Sequence, residues 1–303
     1  MAKKGSKWTD EELKLLEECY SNYLSIEEMK KIFPNRTPTA ISSKATHIGL
    51  TKKYIKTNNA NYKAEYNDYD WCYERFINRC MSTEEIAEES GYSKRVIEKW
   101  IYEKHCLDYK RDFRPNDLQK MLIISGCLGD GHIAKQCPVY VESHAENQKD
   151  YMYWKYEILK NMCNIKEPTY YPAKTKLFNG KPYDCQPTYR ITTREIDCLI
   201  DIMEMSRYDK IDYLDGFGFS THFLDDGYYN GVNWEICLAE WSKEEKDLYI
   251  KKLYTLFNAT AWYQKDMRYI TLDKESSNIM NRMILSHIPN DLDIIKYKIL
   301  KVA

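Results

Sequence analysis

The sequence predicts an α+β protein: two tandem αββαββα halves related by internal pseudo-symmetry, preceded by small all-α modules. Three observations carry this. A run rich in small residues twice ends in an Asp-Gly pair, Asp130-Gly131 in LIISGCLGDGHI and Asp226-Gly227 in FGFSTHFLDDGYY, 96 residues apart. The same succession of alternating and helical stretches follows each pair. Before residue 115, strand alternation is missing and helical runs are separated by short polar turns.

The elements follow in chain order. A helix opens at Trp8-Thr9-Asp10-Glu11-Glu12, where Thr9 and Glu12 have capping-box spacing, and runs through LKLLEECYSNY. SIEEMKKIF and TPTAISSKATHIGL predict two more, giving a three-helix module over residues 1–54 with Ile41, Ala45 and Ile48 expected in its core. Polar, Asn- and Tyr-rich sequence across 55–70 reads as a linker. A second module, 71–115, has Ser82 and Glu85 as a capping box, a Gly91 turn, a basic helix from Ser93 and a tether from about Tyr109 to Asn116.

The first half, 116–205, starts where Pro115 and Asn116 suit a helix beginning. Its first helix should carry the acid at its last turn, with Gly131 as a left-handed terminator and small residues that let two backbones approach. Then come alternating HIAKQCPVYVESH, a helix from Gln148 to Cys163, a strand pair closing with PTYRITT, and a helix from about Arg194 to Met205. The second half, 206–303, repeats the order with YYNGVNWEICLAE, a helix opened by Ser242 and Glu245, TAWYQKD, RYITLD and a helix from about Glu275.

Two such helices side by side place Asp130 and Asp226 together. Paired carboxylates repel unless a cation lies between them, and oxygen donors with open positions suit a hard ion such as Mg²⁺. Metal-assisted phosphodiester cleavage is the chemistry such a pair performs. One Asp-Gly is an ordinary turn dipeptide; repetition of its whole surroundings makes this pair informative.

In GCLGDGHI, the QKDYMYWKYEILK helix, FLDDG, the WSKEEKDLYIKKLYTLF helix and PNDLDIIKYKI, in that order across about residues 116–303, the chain resembles the LAGLIDADG homing endonucleases that carry both motifs in one chain. The resemblance implies a monomeric saddle of two four-stranded sheets on double-stranded DNA, mobile-element or intron biology, and Mg²⁺ as cofactor with Mn²⁺ able to substitute. It implies Asp130 and Asp226 as the metal-binding catalytic acids, with Gly129 and Asp225 beside them in the metal set. Adjacent helical residues point about 100° apart, so only one of Asp225 and Asp226 is expected to face the partner carboxylate, and Asp226 is chosen. Lys210 and Lys265 are the assisting bases implied near the scissile phosphates, with Arg207 or Arg268 as substitutes.

DNA contacts are expected from alternate strand residues: Lys135, Gln136, Tyr140, Glu142, Lys174, Lys176, Arg190, Thr192, Tyr228, Asn230, Asn233, Glu235, Lys265 and Arg268. A one-residue slip of register exchanges the two faces. The Trp-started three-helix module resembles Myb- or SANT-like helix-turn-helix domains, which implies Asn35, Arg36, Thr37, Thr39, Ser42, Ser43, Lys44 and His47 as major-groove readers. A protein-binding module is the alternative. In the second module Ser93, Lys94, Arg95, Glu98 and Lys99 are expected to face DNA, and Lys110, Arg111 and Arg114 to touch phosphate.

Two positions depart from the family pattern: His222 lies within the second motif helix, and CLAE stands where polar strand residues are usual. They keep two alternatives open, a cleavage-incompetent DNA-binding regulator and an intron RNA maturase. Net charge is −1, with 21 basic against 19 acidic side chains before residue 116 and 24 against 27 after it, so DNA binding requires segregated charge. Ten Cys without CxxC spacing read as reduced thiols. No apolar run is long enough to span a bilayer and no signal-type segment is seen, so a cytoplasmic location without membrane partners is expected.

Overall fold

The computed structural model describes residues 8–21, 24, 26–50, 64–178, 181–265 and 267–300; side chains 176–178, 181 and 183 lie outside the described set. The chain divides into two compact units, Met1–Cys72 and Tyr73–Ala303. In the first, helices α1 (Asp10–Ser21), α2 (Ile26–Ile32) and α3 (Pro38–His47) enclose a small core of Leu16, Cys19, Met29, Phe33, Ile41, Ala45 and Leu50. The Thr9–Glu12 capping box forms, and Thr37 caps α3 through the Ala40 amide. Ile48 does not join the core; it follows the last turn of α3, 37% exposed, and Leu50 closes the core instead. Most of the expected linker, residues 51–63, lies outside the described residues.

In the second unit, helix Thr83–Ser90 is capped by the Ser82–Glu85 box and ends at Gly91, whose φ of 70° gives the turn its left-handed residue. Helix Lys94–Glu98 follows and continues as a π-type segment, Lys99–Lys104. The segment expected as a tether is an ordered connection. Phe113 is buried, Tyr109 Oη donates to the Asn161 carbonyl (2.7 Å), and the Asp197 amide donates to the Lys110 carbonyl (2.9 Å).

The two halves have the expected order. In the first, the motif helix Asp117–Gly126 leads to β1 (Gly131–Ile133), β2 (Tyr140–Ala145), helix Lys149–Leu159, β3 (Thr169–Tyr171), a hairpin of β4 (Lys174–Phe178) and β5 (Lys181–Cys185), β6 (Thr188–Thr192) and helix Leu199–Glu204. The sheet order is β1-β2-β6-β3, all antiparallel, and β4-β5 stands outside it as its own two-stranded ribbon. The last helix starts five residues later than expected, because Arg194 and the residues after it pack around Tyr109, Met162 and Cys163.

The second half repeats this with motif helix Gly216–Asp226, β7 (Gly227–Tyr229), β8 (Trp234–Cys237), helix Lys243–Phe257, β9 (Ala261–Tyr263), β10 (Tyr269–Leu272) and helix Lys274–His287, the sheet order being β7-β8-β10-β9. A capped helix, Arg207–Tyr213, precedes the motif helix. Among the described residues no helix is long and apolar enough to cross a membrane, and all ten cysteines are free.

The motif helices pack against each other through small side chains. At the pseudo-twofold axis Thr221 Oγ1 donates to Ser125 Oγ at 2.7 Å; these two residues are 96 apart, so each is the other's counterpart. The axis is therefore marked by a hydrogen bond between equivalent residues.

The glycines after the motif acids are not left-handed terminators. Gly227 is extended (φ −91°, ψ 154°), and both glycines begin strands. They are needed for space: a Cβ on Gly131 would lie 2.4 Å from Tyr140 Oη, and one on Gly227 would lie 2.4 Å from the Phe223 carbonyl oxygen. The first motif helix also ends early. After Gly126 the chain tightens, with Leu128 N donating to Ser125 O and Gly129 N to Gly126 O, so Asp130 stands on a turn and Asp226 on the helix itself.

Candidate active site

Register decides which side chains meet the site and which meet solvent. On β2, Tyr140, Glu142 and His144 are buried, while Val141, Ser143 and Ala145 lie on the outer face opposite Thr192, Arg190 and Thr188. Tyr140 and Glu142, expected at the DNA face, thus point inward, the one-residue exchange that a period-two strand permits. Arg190 and Thr192 keep the outer face, where the Arg190 guanidinium lies 4.4 Å from the Tyr171 ring and its Nε donates to Ser143 Oγ. Tyr228 is 62% exposed and shares a face with Glu235.

Asp130 stands at the mouth of a buried ionic cluster assembled from both halves. Lys155, fully buried on the inner face of helix Lys149–Leu159, donates to Asp225 Oδ1 (2.8 Å) and to Glu142 Oε1. Tyr151 Oη donates to Asp225 Oδ1 (3.1 Å), and Tyr140 Oη to Glu142 Oε2 (2.7 Å). His144 sets Nε2 against Glu142 Oε1 (2.9 Å) and Nδ1 against Gln148 Oε1 (2.7 Å), with Asp130 Oδ2 at 3.5 Å from Nδ1.

The charges of this cluster follow from their partners. Burial alone would raise Glu142, but the Lys155 charge and the His144 and Lys155 hydrogen bonds outweigh it and hold the carboxyl below the usual range. Burial and Lys155 oppose a charged His144, yet Glu142 and Asp225 prevail and raise it. Burial opposes the Lys155 ammonium, and Asp225 and Glu142 more than restore it. Two bases thus offset two acids. Asp130 is left over, and burial together with the Asp225 and Asp226 charges pushes it up to about 6.

Asp225 corrects the expectation that only one of the adjacent acids faces the first half. Its side chain is fully buried, drawn across the interface by Lys155 and Tyr151, and its carboxylate, Asp130 and His144 offer atoms within 4.8 Å of one another. Asp226 takes a different route: its side chain is 28% exposed, and Oδ2 lies 3.0 Å from where a Gly129 Cβ would be. Gly129 is therefore what lets Asp226 close on the first half. Behind Asp226, His222 is fully buried, stacked on Trp241 (interplanar 15°) and bonded through Nδ1 to Tyr249 Oη (2.9 Å).

The expected bases stand elsewhere. Lys210 donates to the Met205 carbonyl (2.6 Å), and burial lowers its ammonium; Lys265 is exposed in the β9–β10 turn, as is Arg268. A second cation near the acids, besides Lys155, is Lys298, in the π-helical segment Lys296–Leu300 near the C-terminus, whose Nζ donates to the Leu224 and Gly227 carbonyls. Burial lowers it while Asp225, Asp130 and Asp226 pull it up. One sequence signal could have found Lys155: Tyr151, Lys155 and Leu159 repeat every four residues, so the lysine lies on the apolar stripe. Lys298 carried no such signal.

Other expected contacts fall as follows. Thr37, Thr39, Ser43 and His47 are exposed and Lys44 is half-buried, whereas the Arg36 guanidinium is held by Glu12 (2.7 Å) over the Trp8 ring (4.6 Å). Ser93, Arg95 and Lys99 are exposed; Lys94 pairs with Glu84 and Glu98. Arg111 pairs with Asp112, and Arg114 donates to the Arg111 and Phe113 carbonyls. Lys135 and Lys174 are exposed, Asn230 and Asn233 form the β7–β8 turn, and the Lys176 side chain lies outside the described residues.

No curated protein matches the chain. Among solved structures, the homing endonuclease I-WcaI bound to its DNA recognition sequence is similar at 19% identity over 61% of this chain and 86% of that one, with a TM-score of 0.50. I-DmoI in complex with DNA and Mn is similar at 12% identity over 57% of this chain and 100% of its own, with a TM-score of 0.37. Full-length DUF199/WhiA from Thermatoga maritima is similar at 14% over 62% and 61%, with a TM-score of 0.38. The first likeness shows the fold. Residues 120–280, more than half of the chain, match the LAGLIDADG DNA endonuclease family, and the chain, with its paired motif helices and their terminal acids, belongs to that family.

Proposed function

We propose that this LAGLIDADG-type DNA endonuclease is a site-specific homing enzyme that binds a long duplex along the outer faces of its two sheets and hydrolyses a phosphodiester in each strand at Asp130 and Asp226. The observation that carries the reading is the meeting of the two motif acids at one end of the paired helices, where Asp130 has charged acids about it and its nearest bases are already matched. Such a leftover negative site suits a divalent cation. Asp130 and Asp226 would hold it, with Mg²⁺ or Mn²⁺ fitting the oxygen donors. A bound ion of this kind lowers the pKa of an attacking water and stabilises the leaving oxygen.

The protein's own part is placement. Gly129 lets Asp226 reach the junction, Lys155 and Tyr151 hold Asp225 in place, and Lys298 sets a cation at the end of the second motif helix. Exposed Lys135 and Lys174 would meet phosphates, while Arg190 and Thr192 lie on the outer face where base edges are read. The three-helix unit and the Gly91 helix-turn-helix would lengthen the footprint, raising specificity through effective concentration. A host genome carrying the site, a monomeric state and a cytoplasmic setting complete the proposal.

Incubation of the full chain with a randomised duplex library and Mg²⁺ tests it. Ends are expected with the wild type only, with Asp130→Asn and Asp226→Asn each reducing cleavage by at least about 10³-fold. Retention of specific duplex without cutting would leave a DNA-binding regulator. Preference for a structured intron RNA would leave a maturase.

A further inference from the structure

We propose that His222 is a nitrogen donor to the divalent ion at the Asp226 end of the site, so that the two half-sites differ in chemistry: oxygen donors at Asp130, a nitrogen and an oxygen at Asp226. The proposal rests on the reading that Asp226 holds metal and goes beyond it by assigning a ligand and a metal preference.

His222 and Asp226 are four residues apart on one helix and so share a face. The ring is fully buried and cannot turn freely: Trp241 stacks on it at a centroid distance of 5.7 Å, Tyr249 meets it edge-on, and Nδ1 is bonded to Tyr249 Oη at 2.9 Å. These contacts leave Nε2 over. It is buried without a hydrogen-bond partner among the described residues, and its nearest charged neighbour is Asp226 Oδ2 at 3.4 Å. A buried imidazole nitrogen without a partner is rare, and an ion is one of the partners that accounts for it.

The geometry suits an ion shared by the two atoms. Donors each about 2.0–2.2 Å from one metal stand roughly 3.0–3.4 Å apart across tetrahedral or octahedral edges. In the tautomer that donates Nδ1–H to the Tyr249 oxygen, Nε2 keeps its lone pair, the arrangement by which a partner on one ring nitrogen fixes the other as a ligand. Asp226 keeps 28% of its side-chain surface, so an ion reaches the pair from solvent. Gly129 lies across from them, its Cβ position 3.0 Å from Asp226 Oδ2 and 3.5 Å from His222 Cδ2, so a side chain at this position would crowd the pair.

His144 shows the contrast. It too lies beside a motif acid, but Glu142 and Gln148 occupy both of its nitrogens. Both of its ring nitrogens are thus already engaged, unlike Nε2 of His222. The second half-site should therefore favour borderline transition ions over Mg²⁺, whereas the first should not.

The test is pulsed EPR on the full chain loaded with Mn²⁺ alone, produced once with ordinary and once with ¹⁵N-labelled histidine. Histidine-nitrogen modulation is expected in the wild type and in Asp130→Asn, and is expected to vanish in His222→Phe, which keeps the ring stack. Mn²⁺ affinity of the second site should fall about tenfold in that variant, with the Mg²⁺ affinity changed less. Bound Mn²⁺ with oxygen ligands only, or modulation surviving in His222→Phe, overturns the assignment and leaves the endonuclease reading intact. Absence of any Asp226-dependent Mn²⁺ removes both. Should His222→Phe fail to fold, the two acid variants decide the question: histidine modulation lost in Asp226→Asn and kept in Asp130→Asn supports the assignment, and the reverse overturns it.

Discussion

Asp130 and Asp226 are counterparts 96 residues apart, yet their surroundings have diverged completely. Asp130 faces a buried ionic cluster of Glu142, His144, Lys155 and Asp225, whereas Asp226 backs onto an aromatic box of His222, Trp241 and Tyr249. The exchange is traceable to two positions. Gly126 in the first half answers to His222 in the second, and Gly129 answers to Asp225. Where the first half has glycine, Tyr140 Oη fills the space; where the second has histidine, Tyr249 supplies its hydroxyl from the neighbouring helix. Pseudo-symmetry preserved the helices, the axis and the acids, and left each half free to find its own support for them.

The sharpest way to break this comparison is to remove the fully buried lysine at the centre of the first half's cluster. Lys155→Met leaves Glu142 and Asp225 buried without their base and is expected to destabilise the protein by about 3–5 kcal/mol. Denaturant titration measures this, and a loss under 1 kcal/mol would show that the cluster is not the electrostatic unit drawn from its distances. The next largest effect concerns the glycine exchange. A Cβ at Gly126 would lie 1.9 Å from Tyr140 Oη, so Gly126→Ala is expected to cost about 1–3 kcal/mol by overpacking. Tyr140→Phe removes the clashing oxygen, and the double variant should recover roughly 1 kcal/mol of that loss. Additive losses would mean that the two residues do not compete for the same space.

The difference between the halves also explains how much was legible in the sequence. The duplicated Asp-Gly surroundings gave the fold, the order αββαββα and the two acids, because periodicity and spacing are local properties. Capping at Ser82, Asn116 and Ser242 was legible for the same reason. The supports of the acids were not. Asp225 is expected to face away from the first half, and only Lys155, 70 positions away, draws its carboxylate across. Lys298 reaches the motif ends only because the tail folds back across the first half, where Tyr297 Oη accepts from Gln148. Face assignment failed on β2, where Glu142 reads as an exposed charge unless its buried base is known.

The smallest expected effect tests the leftover charge. Asp130 titrates at about 6 in the folded protein against 3.8 for an unperturbed aspartate, because burial and then Asp225 disfavour its charged form. The folded state therefore binds this proton more tightly than the unfolded one, so stability falls as pH rises from about 4 to about 6, is lowest above that window, and is unaffected below it. A shift of this size corresponds to about 3 kcal/mol, but the side chain is 42% exposed, and solvent screening reduces it to about 1 kcal/mol. Asp130→Asn is thus expected to be the more stable protein in metal-free buffer at pH 7.5 and equal to the wild type at pH 4. Thermal unfolding at the two pH values reads this directly. Saturating Mg²⁺ should restore the wild type's standing at pH 7.5, since an ion bound only by the folded state adds its binding energy. An advantage for Asn that ignores pH would mean that packing at the turn, rather than an uncompensated carboxylate, makes Asp130 the weak point of the first half.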